Sequence, residues 1–414
     1  MNNTTINHNS QNNRSYIFLV FLFSPLVALI IAIKQYREFW TKNIVWMFSA
    51  FYGYSFVIGN AGSDINRYKQ KFLIHHDLQM SIGEYFVTLF KEGTYDFIQP
   101  LLSFITSRFT SDFKIYLLLI GGFIGYFLSR NIWAVLNLSK QKPKWYGILF
   151  VLVFSFIYSV WDINVMRFTI GAHIFFYGAF KILVTKNRWG YFFIFLSLLV
   201  HFSFSIAFVI FLLYQILGKK FIKIYFIFFI ISFFTSELNL NMIQSQLTFL
   251  PDNFIEKSDD YLNDDYKKKR DDIKENKNFR GKYYQSSLKW AIGILLTTIF
   301  LNRKKIKNNY ILENLLAFCL LYVGVFNVLS FIPSMNRFQF VSYLFALTLI
   351  YPYFNIKLDQ KEKYIIYLCT PLILFYFIVK FRIGFEFTGL LTLLGGPIIA
   401  AIKDNDIALI DFLR

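Results

Sequence analysis

Twelve apolar runs separated by short basic loops constrain this chain more than any other feature of its sequence. They fall near residues 16–33, 43–58, 112–128, 145–160, 164–184, 189–217, 221–236, 285–302, 310–332, 338–354, 364–380 and 388–402. At about 1.5 Å rise per residue, most are long enough to cross a hydrocarbon core of roughly 30 Å, with allowance for tilt. The expected fold is all-α: a polytopic integral membrane protein with about 11–13 transmembrane helices forming one transmembrane domain over residues 1–414. Composition agrees, since 56% hydrophobic and 21% aromatic residues exceed what a soluble domain tolerates on its surface. The first run lacks a cleavage pattern and is expected to remain as a helix. The two cysteines, Cys319 and Cys369, both lie in apolar runs. That placement offers neither a disulfide framework nor a zinc ligand set.

The loops set the orientation. Lys34, Arg37 and Lys42 form the first basic cluster, and Arg130, Lys140, Lys142 and Lys144 the second. Lys181, Lys186 and Arg188 follow, then Lys219, Lys220 and Lys223, then Arg303, Lys304, Lys305 and Lys307, and finally Lys357, Lys361 and Lys363. Placing all six in the cytoplasm obeys the positive-inside rule and puts the N-terminus outside. The net charge of +18 is therefore a topology signal, not a nucleic-acid footprint. This scheme requires the run 189–217, flanked by basic clusters on both sides, to turn back on itself as two short helices meeting near His201. It also places two long loops outside. Residues 59–111 show helical spacing of apolar positions suited to interfacial helices, whereas 237–284 carries charge blocks that favour mobility.

Several ionisable groups gather at the same predicted face. They are Asp64, Arg67 and Tyr68 after Gly62-Ser63, the segment from Trp161 and Asp162 to Arg167, His201, and Asn336-Arg337. A charge inside the bilayer costs about 2.5–3.5 kcal/mol on insertion scales, so Arg167 near the start of a spanning helix calls for a reason. Arg67, Arg167 and Arg337 suit a phosphate or diphosphate through paired hydrogen bonds, while Asp64 or His201 could take a proton from a hydroxyl. Tyr68 and Trp161 could stack on sugar faces, and Asp162 and Asn336 could hydrogen-bond them. Structural readings also fit these residues. Arg167 and Asp162 can snorkel to the headgroups, Asp64 can cap a helix, and His201 can be a satisfied core histidine. His173, between Gly171 and Gly178, reads as structural, and His75 and His76 as surface residues. None of the common nucleotide, metalloprotease or nucleophile-elbow motifs occurs in a suitable context.

The Gly62-Ser63-Asp64 triplet followed by Arg67-Tyr68, an arginine just inside a later helix, and an apolar run broken by His201-Phe202-Ser203 together resemble the EpsG family of Wzy-type polysaccharide polymerases. The tail from Phe381 to Arg414 is also similar to endings in that group. The resemblance implies a glycosyltransferase of a bacterial cytoplasmic membrane, extending O-antigen, capsule or exopolysaccharide. It would transfer an undecaprenyl-diphosphate-linked oligosaccharide onto another such unit at the outer face. It points to Asp64, Arg67, Arg167, His201 and Arg337, implies no cofactor or metal, and makes membrane lipid, a chain-length regulator and a flippase the expected partners. Two other functions share the cationic cavity or the histidine: a lipid-linked oligosaccharide flippase, which would be expected to show two similar halves, and a membrane O-acyltransferase. No internal repeat is visible in the sequence.

The orientation is directly testable. In a variant lacking Cys319 and Cys369, cysteines introduced at 64, 162 or 337 should react with an impermeant thiol reagent in intact spheroplasts. Labelling at 142 or 305 instead would reverse the assignment.

Overall fold

The computed structural model describes residues 8–59, 64–93, 95–234, 278–330, 332, 334–356, 358–403 and 406–413, with side chains from Tyr16 onward. Gly62, Ser63 and residues 237–277 of the second long loop lie outside the described residues. The all-α expectation holds: among the described residues there is no strand, only two isolated bridges, Phe56 with Thr388 and Gly389 with Ala408. Five stretches are long and apolar enough to cross a membrane, and shorter apolar helices accompany them.

The first apolar run is two helices, α1 (His8–Phe23) and α2 (Pro25–Lys34), because Pro25 takes the first helical position, where its missing N–H costs nothing. After a basic turn, α3 (Thr41–Tyr54) rises toward the first long loop. That loop is helical as expected, with α4 (Asp64–Asp77), α5 (Ile82–Lys91) and α6 (Ile98–Ser107). A Ser81–Glu84 capping box starts α5, which buries Tyr85 and Leu89 and exposes Ile82, Phe86, Val87 and Phe90. His75 departs from the surface reading, being half-buried, whereas His76 is exposed as read, and both clip α4 to its neighbours. His75 Nδ1 lies 3.1 Å from Ser103 Oγ and its Nε2 2.9 Å from Tyr85 Oη, while His76 Nδ1 lies 2.7 Å from the Ser107 carbonyl. Burial, with Lys71 and Arg108 nearby, pushes His75 down to about 4, so it clips in its neutral form.

From Asp112, α7 (Phe113–Leu136) runs back along α3, and α8 (Trp145–Ile157) returns toward the loop. A 3-10 turn, Val160–Val165, follows and leads into α9 (Met166–Leu183). The run 189–217 forms the expected pair of short arms, α10 (Gly190–Val200) and α11 (Phe204–Leu217). Their course is fixed by contacts at both ends. A Cβ added at Gly178 would lie 2.6 Å from the Gly190 carbonyl, and one added at Gly171 would lie 2.7 Å from the Phe204 ring. Glycine thus lets both arms seat directly on α9, the small-residue packing that drives helix association in lipid. At the far end of α11, Tyr214 donates to Asn314, whose amide donates to the Leu183 carbonyl. His201 is therefore at the Arg167 end of α9, and Leu217 at the other.

Next come α12 (Ile222–Ile231), α13 (Phe279–Leu301), α14 (Tyr310–Leu329), α15 (Asn336–Asn355) and α16 (Gln360–Gly384). Since α13 begins at Phe279, the last residues assigned to the second long loop are helical instead. α15 runs through the centre, buried on all sides from Phe338 onward, among a continuous set of Phe and Tyr rings. The run 388–402 is not one helix. Gly395 and Gly396 divide it into α17 (Leu390–Leu394) and α18 (Pro397–Ile402), and α19 (Leu409–Phe412) ends the described chain.

The Gly178 contact yields a sharp test, because overpacking a close backbone approach costs roughly 1–3 kcal/mol. Gly178→Val should lower the melting temperature of the detergent-solubilised protein and reduce its activity. Gly83→Ala, whose added Cβ meets nothing within 4 Å, should do neither. Equal melting temperatures for Gly178→Val and the parent would show that the hairpin has slack there.

Candidate functional site

The loop helices and the hairpin meet at Asp96, between α5 and α6. One of its oxygens, Oδ2, accepts from Arg167 Nη1 at 2.8 Å and from His201 Nδ1 at 2.9 Å; Oδ1 accepts from the Phe202 backbone N–H at 2.8 Å. Burial pushes the Asp96 carboxyl up, but the His201 ring, the Phe202 N–H and the Arg167 charge more than offset it and hold the group below its ordinary value. Asp96 is consequently ionised at neutral pH and can only accept. That fixes the imidazole, because Nδ1 must carry the proton facing Asp96. The other ring nitrogen, Nε2, has no hydrogen-bond partner among the described residues.

Arg167 is oriented from a second side. Its Nε donates to Tyr68 Oη at 3.1 Å, so α4 and the Asp96 loop grip it together, while no hydrogen bond engages Nη2 among the described residues. The Asp64 charge is near enough to act on the guanidinium, yet its carboxylate pairs with Arg67, one turn along α4. Arg337 reaches the same place from α15: its guanidinium lies 5.9 Å from the Phe168 ring centre, and the His201 ring packs against the same phenyl at 5.8 Å. No ion pair engages Arg337 among the described residues. Its backbone carbonyl accepts from Tyr158 Oη at 2.6 Å, and Ser334, just before α15, is held in the left-handed region at φ 66°. A residue with a Cβ pays about 1–2 kcal/mol for that conformation. The turn is thus strained where it launches Arg337.

Tyr68, Arg167 and His201 therefore meet around Asp96, Arg337 shares the Phe168 ring with His201, and Asp64 and Arg67 lie along α4. Asn336 is exposed at the start of α15, and its side chain makes no hydrogen bond among the described residues. Asp162 and Trp161 sit apart. Lys380 donates to Asp162 Oδ1 at 2.8 Å, while the Ser159 backbone N–H and hydroxyl reach Oδ2 at 2.8 and 3.1 Å. Both oxygens are engaged, and the pair ties α16 to the 3-10 turn that delivers Arg167. Trp161 packs on Gly384 and Phe156. His173 is structural as read: fully buried, its Nε2 lies 2.8 Å from the Tyr158 carbonyl. Among the described residues no three His, Cys, Asp or Glu side chains gather as a metal site.

Sequence reasoning missed Asp96 and Lys380. The one available signal for Asp96 was an acid between two amphipathic helices, and many loop acids share it. Lys380 looked like an ordinary flank of an apolar run.

The fold and this cluster define a multi-pass helical membrane protein with a His–Asp pair and unpaired guanidinium nitrogen at one end of its bundle. The chain belongs to the EpsG family, whose model matches residues 44–391, the bulk of the sequence. Members of that family are Wzy-type polymerases, so the activity class is a glycosyltransferase-like polysaccharide polymerase. No curated protein and no solved structure matches the chain significantly.

Replacing Asp96 separates orientation from bulk. Asp96→Asn keeps the shape but removes the charge that fixes the imidazole and pairs with Arg167. Polymer formation should fall by about 10²-fold or more, the scale of positioned acid–base help, in a protein that still purifies as a folded species. The sign of the pH effect follows from the depressed carboxyl: its contribution is complete above the ordinary carboxylate value and disappears as pH falls through the lower folded value. Wild-type polymer yield from Asp96→Asn would remove this pair from the mechanism.

Proposed function

We propose that the protein polymerises undecaprenyl-diphosphate-linked oligosaccharide repeat units into a surface polysaccharide at the outer face of a bacterial cytoplasmic membrane, with His201 as the general base. The observation that carries this reading is the single Asp96 oxygen shared by His201 and Arg167. It sets a proton acceptor and a cation side by side, which is what a transfer from a diphosphate donor requires.

In the proposed step, His201 Nε2 takes the proton of an acceptor sugar hydroxyl. That oxygen bonds to the donor's anomeric carbon as the bond from carbon to the diphosphate oxygen breaks. The lipid diphosphate leaves with the bonding electrons, and Arg167 Nη2 and Arg337 stabilise the charge it gains. Fixed donors aimed at developing charge are worth several kcal/mol in other enzymes. Arg67, exposed on α4, extends the cationic rim, and Tyr68 offers a face for sugars, whereas the Trp161 ring is taken up by Gly384 and Phe156. His201 is preferred to Asp64 as the base because Asp64 is committed to Arg67, whereas Nε2 is unengaged. The fixed guanidinium groups serve as counter-ions to the diphosphate, so this mechanism assigns no step to a metal.

The hairpin and the basic loops support an outer-face site under the positive-inside rule. A cell carrying His201→Ala should lose polymer and accumulate single repeat units on lipid at the outer face. Accumulation on the cytoplasmic side would instead make the protein a flippase. His201→Gln retains hydrogen bonding without a base, so restored polymer in that variant would reduce His201 to positioning. Arg337→Lys keeps charge but loses the planar fork, and should weaken donor use more than protein level. Full polymer from Arg337→Gln would remove Arg337 from the diphosphate.

A further inference from the structure

A second concentration of positive charge lies at the opposite end of the bundle. α3 and α7 run side by side, with Gly53 against Leu117 near the site and Asn43 bonded to Arg130 at the far end. Beyond Asn43, the α2–α3 turn and the α7–α8 loop border an open pocket of about 400 Å³, lined by Lys34, Gln35, Tyr36, Arg37, Glu38, Trp40 and Lys142. That volume is within the range of small-ligand sites.

The pocket is built rather than incidental. The Tyr36 carbonyl accepts from Trp133 Nε1 at 2.7 Å, and Thr41 Oγ1 donates to the Glu38 carbonyl at 2.7 Å, so the turn is pinned from both sides. Arg37 Nε donates to Tyr36 Oη at 3.2 Å, and Nη2 reaches the Lys140 carbonyl at 3.5 Å, bridging the two loops. Trp40 is buried and forms the wall. Lys34, Arg37 and Lys142 share the pocket with one carboxylate, Glu38, and none of the three forms an ion pair among the described residues. Lys34, Arg37 and Lys142, all exposed, with the single acid Glu38, give the pocket a net positive charge that an anion would offset.

We propose that this pocket is a second binding site, for a phosphate-bearing anion, and that its occupant is the headgroup of an anionic phospholipid. A guanidinium with two flanking ammonium groups matches a phosphodiester. Basic pockets between helices, with Tyr and Trp at headgroup level, are the recurring form of such sites. The source is lipid rather than free phosphate because the pocket opens where apolar helices end: Lys34 closes α2, whose Val27, Ile30 and Ile33 are exposed for acyl chains to lie against.

The test uses the full chain in neutral detergent, with thermal stability and native mass spectrometry as readouts. Phosphatidylglycerol should raise the melting temperature and remain bound, while phosphatidylcholine and inorganic phosphate should not. In Arg37→Gln/Lys142→Gln, phosphatidylglycerol affinity should fall roughly tenfold or more, given the contribution of each basic residue near an anionic surface. Lys220→Gln/Lys223→Gln alters a basic loop outside the pocket and should leave affinity unchanged. An equal loss in both variants, or none in the first, would overturn the site. Stabilisation by inorganic phosphate alone would overturn the lipid assignment.

Discussion

The arrangement at the site depends on one carboxylate. Asp96 accepts three hydrogen bonds, from a side chain on α9, from the ring at the hairpin tip and from the backbone of the following residue. Each donor comes from the transmembrane bundle, whereas Asp96 belongs to the loop helices. The loop is consequently anchored by charge at the point where the two parts meet. Breaking that anchor takes the hydrogen-bonded counter-ion from Arg167, whose side chain is 39% exposed, so solvent screens part of the loss.

The rest of the fold serves the same end. Glycines on α9 let α10 and α11 seat closely enough for His201 to reach the Asp96 oxygen that Arg167 already uses. The Asp162–Lys380 pair fixes the 3-10 turn ahead of Arg167 from the side of α16. The strained turn at Ser334 directs α15 so that Arg337 arrives over Phe168, against which the His201 ring also packs. Contacts thus tie α4, the α5–α6 turn, α9, the hairpin tip and α15 to one another. Backbone irregularities of this kind are tolerated at membrane depth where protein surrounds them.

Much of this was legible in the sequence because lipid narrows the choices. Length and hydropathy reveal helices, and an apolar run with basic flanks on both sides reveals a hairpin at His201. Arginine inside an apolar run marks itself by its cost. Asp96 was not legible, since a loop acid costs nothing in water and becomes meaningful only when His201 and Arg167 arrive beside it. The split of 388–402 was missed for a related reason: hydropathy averages over Gly395-Gly396 and does not register that consecutive glycines end a helix. Asp162 illustrates the converse, a charge conspicuous in sequence whose oxygens are taken up by Lys380 and Ser159.

The seam between α3 and the tail sets an order of assembly. Tyr52 Oη pairs with Thr388 Oγ1 and Ser55 Oγ with Thr392 Oγ1, across separations of 336 and 337 residues, and the Val57 N–H donates to the Phe387 carbonyl. During synthesis from the N-terminus, these hydroxyls at the end of α3 have no such partners until residues 387–392 have been made. A chain cut before Phe387 therefore contains every arginine of the site and lacks the seam that joins its first helices to its last.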